Sequence, residues 1–268
     1  MMSKKQILLT NDDGIQSPGL WAAAEALSEI GYVTVAAPRD QSSAMGRSMP
    51  ITSDGTITKE IVHVNGQDWT VYAVGGSPAQ SVQHGILRIL DRKPDLIVSG
   101  INYGENLALG VGVSGTVGAA MEGASFGCPA LAISVETDKE HHLSYSNDVD
   151  FSSAAYFAAF FARKLLEKKF PAQVQLIKVD VPREATSDTP WRMSRLSPNP
   201  YYIPSVGKED VWDKPHILDY HVGVNWDIES EDTDVYVMQK RREVAVTPLT
   251  LDFTAHVELD EFDRFLRE

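Results

Sequence analysis

A single cysteine, Cys128, stands in the 268-residue chain, so no disulfide can form within it. It follows an apolar, helical stretch and reads as a core residue. Positive charge is also scarce: 24 Lys and Arg stand against 37 Asp and Glu, a net charge of −13. That field repels a long phosphate polymer and argues against a nucleic-acid-binding module. A small anionic substrate stays open if a divalent cation or a helix N-terminus supplies positive charge locally. Acidity that merely keeps the chain soluble explains the excess equally well. No apolar run approaches the length that spans a bilayer. Ile7 to Leu9, behind Lys4 and Lys5, is too short for a secretory leader. The expectation is a cytoplasmic protein with no membrane partner. No zinc spacing, serine nucleophile elbow, low-complexity tract or repeat is present. Histidine adds little: His84 falls on an expected helix, and His141-His142 in a charged loop expected to be solvated.

What is present is a hydrophobic fraction of 43%, ample for a large core, in alternating apolar runs and amphipathic stretches. Lys5 to Thr10 reads as a buried strand, Pro18 to Ile30 as a helix stopped by Gly31, and Tyr32 to Ala37 as a second strand. This strand–helix–strand unit is the repeating element of a parallel α/β sheet. Ile57 to Val64 and Trp69 to Val74 read as a hairpin about Asn65-Gly66. Further expected elements are a helix from Pro78 to Leu90, a strand from Asp95 to Ser99 and a small-residue helix from Gly115 to Phe126. A strand from Ala130 to Val135, a helix from Asp148 to Lys168 and a strand from Val174 to Val179 follow. Residues 1–182 thus form an expected Rossmann-like core, three layers about a mostly parallel sheet. Residues 183–268 form an expected β-rich arm: short strands and loops, further strands over Asp234 to Val246, and a helix over Val257 to Leu266. Its aromatic residues suggest subunit contacts, with folding back on the core as the alternative.

Ligands of open parallel sheets bind at the carboxyl ends of strands. There the chain places Asn11-Asp12-Asp13-Gly14, then Pro38 through Ser43, then Ser99-Gly100-Ile101-Asn102-Tyr103-Gly104. Alone, Asp12-Asp13 reads first as a capping turn leading into Pro18. Convergence of three oxygen-rich loops turns the reading toward a hard divalent cation, because adjacent carboxylates repel unless neutralised. Gly110 to Thr116 opens a helix in small residues. It is suited to a phosphate or simply to close helix–sheet packing. It carries neither a dinucleotide fingerprint nor a P-loop lysine.

Ile7 through Gly14 with Ser17-Pro18-Gly19 resembles the opening signature of the SurE survival-protein family of 5′/3′-nucleotidases. Ala37-Pro38 through Ser43, Ser99 through Leu107, Ser114 through Gly123, Asp232 through Val235 and Val246 through Leu249 resemble later blocks in the family's order. The resemblance implies a Rossmann-like fold with a C-terminal oligomerisation arm, a homodimer or homotetramer, and one divalent ion, Mg2+ or Mn2+. By matching position it implies metal ligands Asp12, Asp13, Ser43 and Asn102. It implies a phosphate site at Asn11, Ser114, Gly115 and Thr116, with Asn106 on the substrate loop. The implied reaction is phosphomonoester hydrolysis of nucleoside 5′- or 3′-monophosphates, and in some members of short polyphosphate. Ala44 and Ala108 stand where the family usually has glycine. Gly110 and Val113 replace its aspartate and tyrosine, so base and sugar preference stay open.

The expected mechanism has Asp12 orient or deprotonate the attacking water, with Asn11 beside it and Asp13 mainly a ligand; the two aspartate roles are interchangeable on sequence. An aspartyl-phosphate route is the mechanistic rival. A nucleotide-binding regulatory module without turnover, or a structural oligomer, is the functional one.

Overall fold

The computed structural model describes residues 4–64, 66–142, 145–146, 148–206, 212–213 and 218–268. β1 (Gln6–Thr10), α1 (Pro18–Ser28) and β2 (Tyr32–Pro38) make the first parallel unit, with Ile7 opposite Val33 and Leu9 opposite Val35. β3 (Ile57–Val64) and β4 (Gln67–Val74) are antiparallel. Of their expected turn, Asn65 lies outside the described residues. α2 (Pro78–His84) opens on a capping box between Ser77 and Gln80 and runs on as a wider helical turn over Gly85–Ile89. β5 (Leu96–Tyr103), α3 (Gly115–Ser125), β6 (Ala130–Val135), α4 (Ser152–Glu167) and β7 (Leu176–Val181) follow in the expected order.

β8 (Trp191–Met193), β9 (Tyr202–Ser205), β10 (Asp219–Val222), β11 (Val244–Leu249) and α5 (Leu259–Arg267) complete the chain. The main sheet has nine strands in the order β3-β4-β2-β1-β5-β6-β7-β11-β8, and only the β3–β4 and β7–β11 pairings are antiparallel. It therefore runs across residue 182 into the C-terminal segment. β9 and β10 form a separate two-stranded hairpin.

Strand side chains alternate between two cores, as pleating requires. Ile7, Leu9, Val98, Leu131 and Val179 pack beneath α1 and α4, with Phe157 and Phe161. Leu8, Ile97, Ala130 and Ala132 face α2 and α3. Fully burying each such large side chain contributes roughly 1.5–3 kcal/mol. The small residues of α3 let it lie close to the sheet; a side-chain carbon at Gly123 would come within 2.4 Å of Ile97. A third cluster, with Leu107, Tyr201, Val237 and Met238, seats the C-terminal segment on the loop after β5.

Two expectations are corrected. The glycine-rich run after Ser99 is not loop: β5 continues to Tyr103, with a register shift between Ser99 and Asn102 against β6. Backbone pairing with Ser134 and Val135 holds it and needs no apolar side chain. Asp234 to Val246 is not all strand either. Residues Tyr236–Lys240 are helical, the Thr233 hydroxyl accepts from the Tyr236 amide at 3.2 Å, and only Val244 onward pairs as strand. Valines 235 and 237 alternate like a strand, yet they bury with Met238 in the third cluster. No described helix is long and apolar enough to cross a membrane.

β1 is flanked by β2 on one side and β5 on the other, so chain order reverses at its carboxyl end. That is the position where doubly wound sheets bind ligands.

Candidate active site

Asn11, Asp12, Asp13 and Gly14 form the turn at that switch point. Asn11 shapes it: its Nδ2 donates to the Gly14 carbonyl at 3.0 Å and its Oδ1 accepts from the Gly14 amide at 3.2 Å. Asp12 and Asp13 are 4% and 2% exposed. Asp12 meets the start of α3, where the Thr116 hydroxyl donates to Asp12 Oδ1 at 2.5 Å. The contact needs glycine at 115, since a side-chain carbon there would sit 2.7 Å from Asp12 Cβ. Ser114 caps the helix, its Oγ accepting from the Val117 amide at 3.1 Å. The residues expected at a phosphate, Asn11, Ser114, Gly115 and Thr116, are thus gathered around Asp12.

Asp13 turns toward β5. Its Oδ2 accepts from the Tyr103 amide at 3.3 Å, next to Asn102, and its Oδ1 accepts from Gln41 Nε2 at 3.3 Å. Asn102 commits its amide nitrogen to the carbonyls of Tyr103 and Gly104, at 3.2 and 2.6 Å, which leaves its oxygen as the atom to offer a cation. Ser43 belongs to the loop after β2; the Ser42 amide donates to the Asp12 carbonyl at 2.7 Å, and Ser43 itself is exposed. Asn106 lies deeper. Its amide donates to Asp180 Oδ1 and its Nδ2 to Ser134 Oγ, each at 2.7 Å.

Burial raises the pKa of Asp12 despite the hydrogen bond from Thr116. Burial and the charge of Asp12 hold Asp13 well above the usual carboxylate range. Among the described residues neither carboxylate is held by a cationic side chain; their side-chain partners are Thr116 and Gln41. Two buried carboxylates, with Asn102 and Ser43 each one residue from a backbone contact to them, offer hard oxygen donors of the kind that suits Mg2+ or Mn2+.

Sequence reasoning missed three neighbours. Gln41 ties Asp13 to the His142 carbonyl, at 3.3 and 2.8 Å. The Tyr145 hydroxyl donates to the Asp13 carbonyl at 2.9 Å. His142, expected to be solvated, is half-buried against Gly104, with its Nδ1 2.8 Å from the Tyr220 hydroxyl. No local motif marks them, because each acts through a distant partner. A second grouping, Asp138, Glu140 and His141, brings ligand atoms within 4.8 Å of one another. It is largely exposed, and Asp138 is already paired with Arg183 at 2.7 Å.

The sequence profile described as survival protein SurE matches residues 7–202. A 5′-nucleotidase SurE from Methanocella arvoryzae is 39% identical over 276 residues, spanning 98% of this chain and 98% of its own. A 5′-nucleotidase SurE from Thermococcus kodakarensis is 40% identical over 261 residues, spanning 97% of this chain and 98% of its own. The crystal structure of the SurE protein from Aquifex aeolicus superposes with a TM-score of 0.76 at 29% identity, covering 98% of this chain and all of that one.

Proposed function

The chain belongs to the survival protein SurE family, and from that premise we propose that it is a divalent-metal-dependent 5′-nucleotidase that cleaves nucleoside monophosphates to nucleoside and phosphate. The observation that carries this reading is the pair of buried, uncompensated carboxylates Asp12 and Asp13 abutting the N-terminus of α3. Asp12, Asp13, Ser43 and Asn102 would hold the cation. A divalent ion there supplies positive charge that offsets the carboxylates and polarises a phosphoryl oxygen.

The remaining work falls to the chain. The first turn of α3 presents the Gly115 and Thr116 amides and the positive end of the helix, suited to the equatorial phosphate oxygens. The second Nδ2 hydrogen of Asn11 is free of the Gly14 turn and can donate to the same group. Asp12, buried at the end of β1 beside the start of α3, is the group that orients or deprotonates the attacking water. Thr116 fixes its orientation through Oδ1. Asn106, braced by Asp180 and Ser134, shapes the substrate-side loop from within. Polyphosphate cleavage, 3′-monophosphates as substrates, and assembly into a dimer or tetramer through the C-terminal segment belong to the same reading.

A phosphate-release screen over nucleoside 5′- and 3′-monophosphates and short polyphosphate, with Mg2+, Mn2+ or chelator, tests it. Turnover should require the metal, and Asp12→Asn should lose about a thousandfold or more in kcat while keeping its fold. Nucleotide binding without phosphate release would favour a regulatory module instead. A trapped phosphoenzyme would make Asp12 a nucleophile rather than a base.

A further inference from the structure

Ser43 differs from the other three proposed oxygen donors in how it is held. Asp12 and Asp13 are buried at the end of β1, and Asn102 is fixed through its own amide nitrogen. Ser43, Ala44 and Met45 are exposed. The position of the Ser43 oxygen is therefore set by where its loop is tied down. On one side is the hydrogen bond from the Ser42 amide to Asp12. On the other, the Gly46 amide donates to the Val113 carbonyl at 2.9 Å, and the Gly46 carbonyl lies so close to α3 that a side-chain carbon at Gly118 would come within 2.2 Å of it. One residue further, Arg47 Nε donates to Glu122 Oε2 at 2.7 Å, and Gln83 of α2 donates to Glu122 Oε1 at 2.9 Å. Gly118 and Glu122 are four residues apart and share a face of α3. The first admits the loop backbone, and the second grips its side chain.

The Glu122 side chain is 4% exposed and that of Arg47 37%. Desolvating a carboxylate is costly, and an apolar pair of similar volume often serves packing as well or better. An apolar pair would not fix the loop's place along α3, whereas a charge-assisted hydrogen bond from Nε to the carboxylate is directional. We propose that Arg47 and Glu122 are a positioning pair that holds Ser43 at the metal site and thereby sets the affinity of that site for its divalent cation. The inference rests on the metal-dependent reading above. Both residues act through Ser43.

The test measures Mn2+ binding to the substrate-free protein by electron paramagnetic resonance, alongside kcat and the metal half-saturation of phosphate release. The variants are Arg47→Met, Glu122→Gln, their combination, and Arg47→Lys. The Mn2+ dissociation constant should rise about tenfold in each of the first two, the scale typical of residues that orient a ligand. The combination should rise no further, and Arg47→Lys should recover part of the loss. The effect should fall on metal half-saturation and not on kcat at saturating Mn2+. Dissociation constants unchanged in both single variants, or a loss confined to kcat, would overturn the proposal while leaving the function intact. A wild-type protein that binds no Mn2+ would overturn the metal reading itself, and this inference with it. If Glu122→Gln fails to fold, Arg47→Met in the exposed loop decides the matter alone.

Discussion

Ala44 and Ala108 adopt left-handed backbone, with φ of 58° and 54°. These are the two positions where the sequence resemblance leads one to expect glycine. For an L-residue that conformation costs roughly 1–2 kcal/mol, while glycine adds about 0.4–1 kcal/mol of unfolded-state entropy. Ala44 is exposed and packs little, so the strain term decides. Ala44→Gly should stabilise the fold by about 0.5–1 kcal/mol in urea unfolding, whereas Ala108→Gly also removes a buried methyl and gains less. A loss of stability in Ala44→Gly would contradict the strain. Glu105 offers a second test. It is buried under Tyr201, whose hydroxyl donates to its Oε1 at 2.7 Å, and its Oε2 is buried without a partner among the described residues. Burial, with Glu136 and Asp180 facing it, pushes its carboxyl up to about 7 from 4.5, against the Tyr201 hydrogen bond. Between those values the folded state binds more protons than the unfolded chain, so stability falls as pH rises through this window and the penalty is complete above it. Glu105→Gln should flatten that slope and be about 2 kcal/mol more stable than wild type at pH 8, with little difference at pH 4. Parallel pH profiles of the two proteins would count against it.

Elements are joined by a buried ionic cluster. Lys178 and Asp180 of β7 meet Asp234, and the three side chains are fully buried. Burial opposes the charge on Lys178, but the two carboxylates overcome it and hold its pKa above the usual value. The carboxylates also accept backbone amides: Asn106 to Asp180, and Ala108, Ser197 and Val235 to Asp234. The cluster thereby fastens the loop after β5 to both β7 and the C-terminal segment. Lys178→Met would strand two buried carboxylates and should cost about 3–5 kcal/mol in chemical denaturation. A change below about 1 kcal/mol would mean that the amides alone suffice. The sequence shows where such elements begin better than how they are tied. β1, α1 and β2 were legible because their apolar period and the stops at Gly31 and Pro38 are local. That Asp12 and Asp13, the loop of Ser43 and the segment of Asn102 come together at the end of β1 was legible from their positions after strand ends. The strand character of residues 100–103 was hidden, because paired backbone leaves no mark on glycine and asparagine. Tyr145, His142 and the Glu122–Arg47 pair were hidden too, because partners 75 to 132 positions apart meet only in the fold.

At the scale of the whole molecule, α5 buries none of its apolar side chains against the described residues. α5 is nine residues long and none of them is buried. Leu259, Phe262, Phe265 and Leu266 are between 48% and 70% exposed, with acidic residues opening the helix and Arg264 and Arg267 closing it. The end charges complement the helix dipole, yet an isolated helix of this length is marginal in water. Its apolar stripe therefore needs a surface to cover. The expected surface is a second copy of the chain, since the segment follows β11, which lies next to the edge strand β8 of the main sheet, and the rest of the C-terminal segment also exposes aromatics such as Trp212. Analytical ultracentrifugation should give a mass of two or four chains for the wild-type protein. Phe262→Ser with Leu266→Ser removes the centre of the stripe without touching the switch point, and should shift that mass toward a single chain and lower the melting temperature. A wild-type monomer, or a double variant that keeps its assembly, would assign α5 to some other contact. Catalytic parameters of the dissociated variant would then separate the two jobs of the C-terminal segment. The Asp180–Asp234 cluster braces the site from within one chain, so kcat should survive dissociation if that brace is sufficient and fall with it if assembly also holds the loop after β5 in place.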